Sequence, residues 1–171
     1  MGTGVDINHF GGKYLPQNPS NPQKRKKEAE VMSFLGSITY SIDSKKRIFI
    51  PSKFREDLGN TFYITRNIDN CLTIYTEEEW AAFRQKLNRI PDSVGVAARE
   101  HFFSAAQLCQ PDSNGRIILP DSLIKYAEIN KNVVFVGTDD KINVWSEENW
   151  SIREAERDRE AIRNLMFSIG I

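Results

Sequence analysis

Ile42-Asp43-Ser44-Lys45-Lys46-Arg47-Ile48-Phe49-Ile50-Pro51 recurs in register as Pro111-Asp112-Ser113-Asn114-Gly115-Arg116-Ile117-Ile118-Leu119-Pro120. Asp, Ser, Arg, Ile and Pro keep their places at an offset of 69 residues. Further on, Tyr75-Thr76-Glu77-Glu78-Glu79-Trp80 matches Trp145-Ser146-Glu147-Glu148-Asn149-Trp150 at an offset of 70. Two matched ends at a near-constant offset define an internal repeat, and the repeat sets the fold.

Each copy has the same expected elements. A strand (Ser37 to Asp43; Ala106 to Asp112) leads through a tight turn to a short strand (Arg47 to Ile50; Arg116 to Leu119) that a proline ends. A small helix follows (Ser52 to Leu58; Asp121 to Ala127), with Ser52 and Asp121 as N-cap types. A hairpin comes next: Phe62 to Arg66 with Leu72 to Tyr75, and Val133 to Gly137 with Ile142 to Trp145. Asp69-Asn70 and Asp139-Asp140 suit its turns. Thr76, with Glu79 three residues on, opens a closing helix at capping-box spacing, and Ser146 holds that place in the second copy. Four short strands and one small helix bury too little to fold alone, so the copies should pack as a pseudo-symmetric pair. Between them, Glu77 to Asn88 and Val94 to Phe103 form helices, with Leu87, Ile90, Val94, Ala98, Phe102 and Phe103 toward the sheet.

Asp43 and Arg47 bracket three residues, as do Asp112 and Arg116. A three-residue hairpin loop is usually a type I turn followed by one residue in the left-handed region. Gly115 suits that last place. Lys46 occupies it in the first copy, where a positive φ costs a lysine something like 1 kcal/mol. Asp and Arg should then face each other as a cross-strand ion pair. The plain reading is that this pair only locks the turn. The first turn, however, is both strained and cationic, with Lys45, Lys46 and Arg47 at its tip and Lys53 and Arg55 following, which points to function over stability.

The wider composition is compatible with a globular chain of 171 residues, 40% hydrophobic and 27% charged. Residues 1–31, rich in Gly and Pro with the basic run Lys24-Arg25-Lys26-Lys27, resemble a disordered or non-native leader, and Met32 is a plausible native start. No apolar run is long enough to span a bilayer, so no membrane association is expected. Cys71 and Cys109 lack paired spacing and fit a reducing cytoplasm as small buried residues. The net charge of zero, from 23 basic and 23 acidic residues, speaks against a nucleic-acid binder only if charge is spread evenly. Here the first turn gathers the cations, and Glu77 to Glu79, Glu147 and Glu148 gather at helix starts.

With two Asp-x-x-x-Arg turns, each leading into a strand that ends at proline, and two Glu-rich helices that carry Trp80 and Trp150, the chain resembles the MraZ family within the AbrB-like, swapped-hairpin class. The stretch Phe102-Phe103-Ser104-Ala105 before the second copy adds to the likeness, which covers Met32 to Trp150. The resemblance implies an α+β, β-rich fold: two AbrB-like repeats packed as a pseudo-two-fold β-barrel with flanking helices. Residues 32–90 would hold the first repeat with its closing helix, 91–104 a linking helix, and 105–150 the second repeat. It further implies a cytoplasmic, nucleoid-associated repressor of its own division and cell-wall gene cluster. Such a protein binds short direct repeats in double-stranded DNA as a ring-shaped homo-oligomer. By motif position, Arg47 and Arg116 would face DNA with Lys45, Lys46 and Lys53, while Asp43 and Asp112 lock the turns. No cofactor and no metal are implied.

An enzyme is the rival from another class. Only His9 and His101 occur, His101 beside two phenylalanines, and no carboxylate pair, P-loop or GxGxxG is present. An AbrB-like antitoxin is the second rival, although antitoxins usually carry one copy and a disordered toxin-wrapping tail. Here residues 151–171 form a charged helix, with Leu165, Met166, Phe167 and Ile169 as a packing or oligomer contact.

Overall fold

The computed structural model describes residues 33–171, so the leader and Met32 lie outside the described residues. The order is β1 (Ser37–Ser41), β2 (Arg47–Phe49), α1 (Ser52–Leu58), β3 (Phe62–Arg66), β4 (Leu72–Thr76), α2 (Glu77–Asn88) and α3 (Asp92–Phe103). The second copy follows as β5 (Gln107–Cys109), β6 (Arg116–Ile118), α4 (Asp121–Tyr126), β7 (Asn132–Gly137), β8 (Ile142–Ser146) and α5 (Glu147–Ala155), and α6 (Arg159–Ser168) ends the chain. The strands on either side of the Asp-Arg turns are shorter than expected because their ends go into the turns themselves. The tail is not one helix. It breaks after Ala155, and Asp158 starts α6 by accepting from the Glu160 and Ala161 N–H groups.

Six strands form one antiparallel sheet in the order β1-β7-β8-β4-β3-β5, and β2 pairs with β6 in a separate two-stranded ribbon. The copies exchange strands. β1 of the first pairs with β7 of the second, and β5 of the second pairs with β3 of the first. The register is symmetric too: Ile48 faces Ile117 in the ribbon, and Thr73 faces Asn143 where β4 meets β8. Both are repeat-equivalent pairs, so a pseudo-two-fold passes through them. The ladder does not close. β1 and β5 remain edges with no pairing between them, and the fold is a sheet plus a ribbon instead of a hydrogen-bonded barrel.

The physical reason for the exchange lies in the turns. Only Asp43 and Arg47 pair across the first turn, and only Asp112 and Arg116 across the second; beyond them each chain diverges into different sheets. Ribbon residues Ile48 and Ile117 with Phe54 and Leu123 cover one sheet face, against Phe62, Ile74, Phe135 and Val144. On the other face, α2, α3 and α5 cover side chains such as Tyr63, which stacks on Trp80 at 5.1 Å, and Trp145, which meets Trp150 at 5.8 Å. Covered on both faces, β4 is buried throughout, whereas edge strand β1 keeps an alternating pattern.

Several local expectations change. Ser52 and Asp121 are not caps: Pro51 and Pro120 hold the N-cap positions of α1 and α4, and no side chain caps either helix. The prolines suit that place because their fixed φ leads into a helix and the missing N–H would be unpaired there anyway. Thr76 and Ser146 do cap α2 and α5, accepting from the Glu79 and Asn149 N–H groups. Leu87 is buried, but Val94 is 73% exposed and Ile90 also lies outside the core. Gly95 explains both. A Cβ there would meet Ile90 Cγ2 at 2.8 Å, so α3 turns its glycine toward Ile90 and Arg99, and Val94 faces out.

Candidate nucleic-acid interface

The two turns carry the same hydrogen bonds. Asp43 Oδ1 accepts from the Lys45 and Arg47 N–H groups at 2.9 Å each, and its Oδ2 accepts from Arg47 Nε at 2.7 Å. Asp112 does the same with Asn114, Arg116 N–H and Arg116 Nε, each at 2.9 Å. The aspartate therefore ties the loop and aims the arginine at once. Each carboxylate is held below its ordinary value of 3.8, chiefly by the backbone N–H of its arginine. The residue before each arginine is left-handed: Lys46 has φ 60° and Gly115 has φ 76°.

The ribbon presents both arginines together. In its register Arg47 lies opposite Ile118 and Arg116 opposite Phe49, while Ile48 and Ile117 point into the core. Directly opposed residues share a face, so Arg47, Phe49, Arg116 and Ile118 form one outer surface. The two arginines are diagonal neighbours, about 7–8 Å apart by sheet geometry. Phe49 is 45% exposed and Ile118 66% exposed, and the Arg116 guanidinium lies 5.7 Å from the Phe49 ring centre. These two apolar members escape sequence reasoning. Arg-Ile-Phe-Ile does not alternate cleanly, and only the pairing of β2 with β6 reveals which side is outward.

The lysines divide. Lys45 is exposed at the first turn. Lys46 reaches across to the second copy and pairs with Asp121 at 2.5 Å, at the first residue of α4. Lys53 is not at the tip: its ammonium donates to the Leu35 carbonyl at 3.1 Å and lies 4.6 Å from the Phe54 ring centre. His101 packs in a cluster, edge-on to Phe102 at 4.9 Å and to Tyr126 at 5.7 Å, with Nε2 3.2 Å from the Asn67 carbonyl. Burial pushes the Cys71 thiol up to about 12 and the Cys109 thiol up to about 11, which suits small packed residues. No helix among the described residues is long and apolar enough to cross a membrane.

Fold and site together define a class: two strand-exchanged α+β repeats whose ribbon displays a pair of aspartate-anchored arginines. The family model described as "MraZ protein, putative antitoxin-like" matches residues 33–99 and 102–165. The chain is 43% identical over 141 residues to "Transcriptional regulator MraZ" of Clostridium tetani, covering 81% of this chain and 99% of that protein. It is 39% identical over 141 residues to the protein of the same name from Clostridium acetobutylicum, with the same coverage. The chain belongs to the MraZ family.

Proposed function

We propose that this chain is a sequence-specific, DNA-binding transcriptional regulator that acts through the outer face of the β2–β6 ribbon. The observation that carries the reading is the pair of aspartate-aimed arginines on one face. A two-stranded ribbon fits the major groove, and Arg47, fixed at Nε, keeps its terminal nitrogens for the bidentate contact that reads guanine, whereas Arg116 also pairs through Nη2 with Asp112 at 2.9 Å and must release it for the same contact. Lys45 and Lys46 lie beside Arg47 for phosphate contacts, Lys46 after giving up Asp121. Lys53 is the weakest member of the set, being engaged at the Leu35 carbonyl. Asp43 and Asp112 position the arginines and do not touch DNA.

The finer reading is a cytoplasmic, nucleoid-associated repressor of its own division and cell-wall gene cluster. It works as a ring-shaped homo-oligomer that sets successive ribbons on short direct repeats. One ribbon neutralises few phosphates, so a single subunit should bind weakly and linked subunits gain through effective concentration. The test is a gel shift on the protein's own upstream DNA over a salt series, with light scattering for mass. Affinity should fall steeply with salt, and Arg47→Ala should remove the specific complex while fold and mass persist. Binding that is flat with salt would end this reading, and an antitoxin-like protein contact would then take its place.

A further inference from the structure

Arg55 follows the first turn in the chain but sits on the second turn in space. Two positions apart on α1, Lys53 and Arg55 do not share a helix face. Lys53 reaches back to the Leu35 carbonyl, whereas Arg55, in the last turn of the helix, lies over Gly115. A Cβ built on Gly115 would meet Arg55 Nη1, with Cζ 2.9 Å and Cδ 3.1 Å away. The guanidinium and the end of its stem therefore cover the glycine, which is buried while Arg55 itself is exposed. Gly115 thus answers two demands: a φ of 76°, and the absence of a side chain where Arg55 lies. Among the described residues no carboxylate lies within ion-pair distance of Arg55.

The repeat supplies the comparison. At the offset of 69, Gly115 corresponds to Lys46, and Ile124 corresponds to Arg55. At turn one the turn itself carries the cation: Lys46 crosses to Asp121 of the second copy, and Ile124 packs on the core. At turn two the turn residue is bare, and the cation comes from the helix of the other copy. The two turns also stand at opposite ends of the ribbon. The Leu119 N–H donates to the Lys46 carbonyl at 2.8 Å, and the Ile50 N–H donates to the Gly115 carbonyl at 2.9 Å. From Lys46 to Ile50 the strand advances by about 13 Å at the usual rise per residue. That matches the major groove, about 12 Å wide. A ribbon laid across the groove sets Arg47 and Arg116 at the base edges and its two ends at the phosphate walls.

We propose that Arg55 is a DNA-backbone contact whose guanidinium binds a phosphate beside turn two, the counterpart of Lys45 and Lys46 beside turn one. Held by its stem against Gly115, the planar guanidinium offers a fork of donors that fits phosphate oxygens. Unlike Lys46, it has no carboxylate to release first. Its place at the end of the ribbon, and not on the face of Arg47, Phe49, Arg116 and Ile118, assigns it to phosphate and not to a base edge. Each ribbon then grips both walls of the groove, one through the lysines of the first turn and the other through Arg55. This inference deepens the DNA reading of the ribbon proposed above and rests on it.

The test compares full-length wild type, Arg55→Gln and Arg55→Lys on the protein's own upstream DNA and on a scrambled duplex over a salt series, with thermal melts alongside. Arg55→Gln is expected to weaken binding to both duplexes by the same factor, keeping the upstream preference. It is also expected to lower the log-log salt slope by roughly one for each ribbon engaged. Arg55→Lys, which keeps the charge, is expected to recover the slope. A wild-type slope in Arg55→Gln overturns the proposal and leaves the ribbon reading in place, whether or not the melting temperature falls; a fall would assign Arg55 to packing on Gly115 alone. A loss confined to the upstream duplex would make Arg55 a base reader and overturns the phosphate contact. A lysine variant that binds like Arg55→Gln overturns it as well, since the contact is then not one of charge. Wild-type binding that is flat with salt overturns the ribbon reading and this inference together.

Discussion

Turn one holds Lys45, Lys46 and Arg47 and places a lysine at φ 60°; turn two holds Asn114, Gly115 and Arg116 and places a glycine at φ 76°. The hydrogen bonds that the aspartates accept follow the same pattern in both. The copies thus share a scaffold and differ in charge and strain, and the difference falls on the exposed tip. The lesson is a division of labour. Aspartate and arginine make the geometry in both copies, and the two added lysines make the first turn the more cationic one, with Lys46 paired to Asp121.

That comparison can be broken at its scaffold first. Phe54 and Leu123 are repeat-equivalent residues, both essentially buried in one cluster. Phe54→Ala should cost about 3–5 kcal/mol and Leu123→Ala about 2–5 kcal/mol. Because the strands are exchanged, either change should lower a single unfolding transition seen by circular dichroism. Two separate transitions would show that the copies fold independently.

At the tips, Arg47→Ala should cost about 1–3 kcal/mol of sequence discrimination per site, with Arg116→Ala costing less. Gel shifts on the same DNA measure both, and equal losses would erase the proposed asymmetry. Lys46→Gly should stabilise the fold by at most about 1 kcal/mol by relieving the left-handed lysine. The lost surface pair with Asp121 offsets part of that gain. The same change should lower the log-log salt slope of DNA binding by roughly one. Thermal melts that show lower stability would contradict the strain assigned to Lys46. The reverse change, Gly115→Ala, should destabilise by about 1–2 kcal/mol, and the Arg55 guanidinium must also move aside.

The smallest effect concerns acid. Asp43 and Asp112 titrate below 3.8 in the folded chain, so the stability they supply is complete above that value and is lost as pH falls below it. Melts at stepwise lower pH should show this loss shrinking in the double variant Asp43→Asn, Asp112→Asn.

Much of this was legible in the sequence because the repeat supplies two readings of every element. β3, α1 and α2 have the expected bounds, and the left-handed place of Lys46 follows from its match to Gly115. The strand exchange is less legible. Nothing local to Ser37–Ser41 says that it pairs with β7 and not with its own neighbour. The direction of Lys53 is equally hidden, since it depends on the Leu35 carbonyl, 18 residues away in the chain. Val94 misleads because its apolar character gives way to the close approach that Gly95 allows.

The most direct test of the central claim, that aspartate-aimed arginines on the ribbon read DNA, is the affinity of wild-type protein and Arg47→Ala for the protein's own upstream DNA and for a scrambled duplex, at several salt concentrations. The account predicts a wild-type preference for the upstream sequence that Arg47→Ala abolishes, leaving weak, salt-sensitive binding to both duplexes. Equal preference in the two proteins, with unchanged affinity, would contradict it.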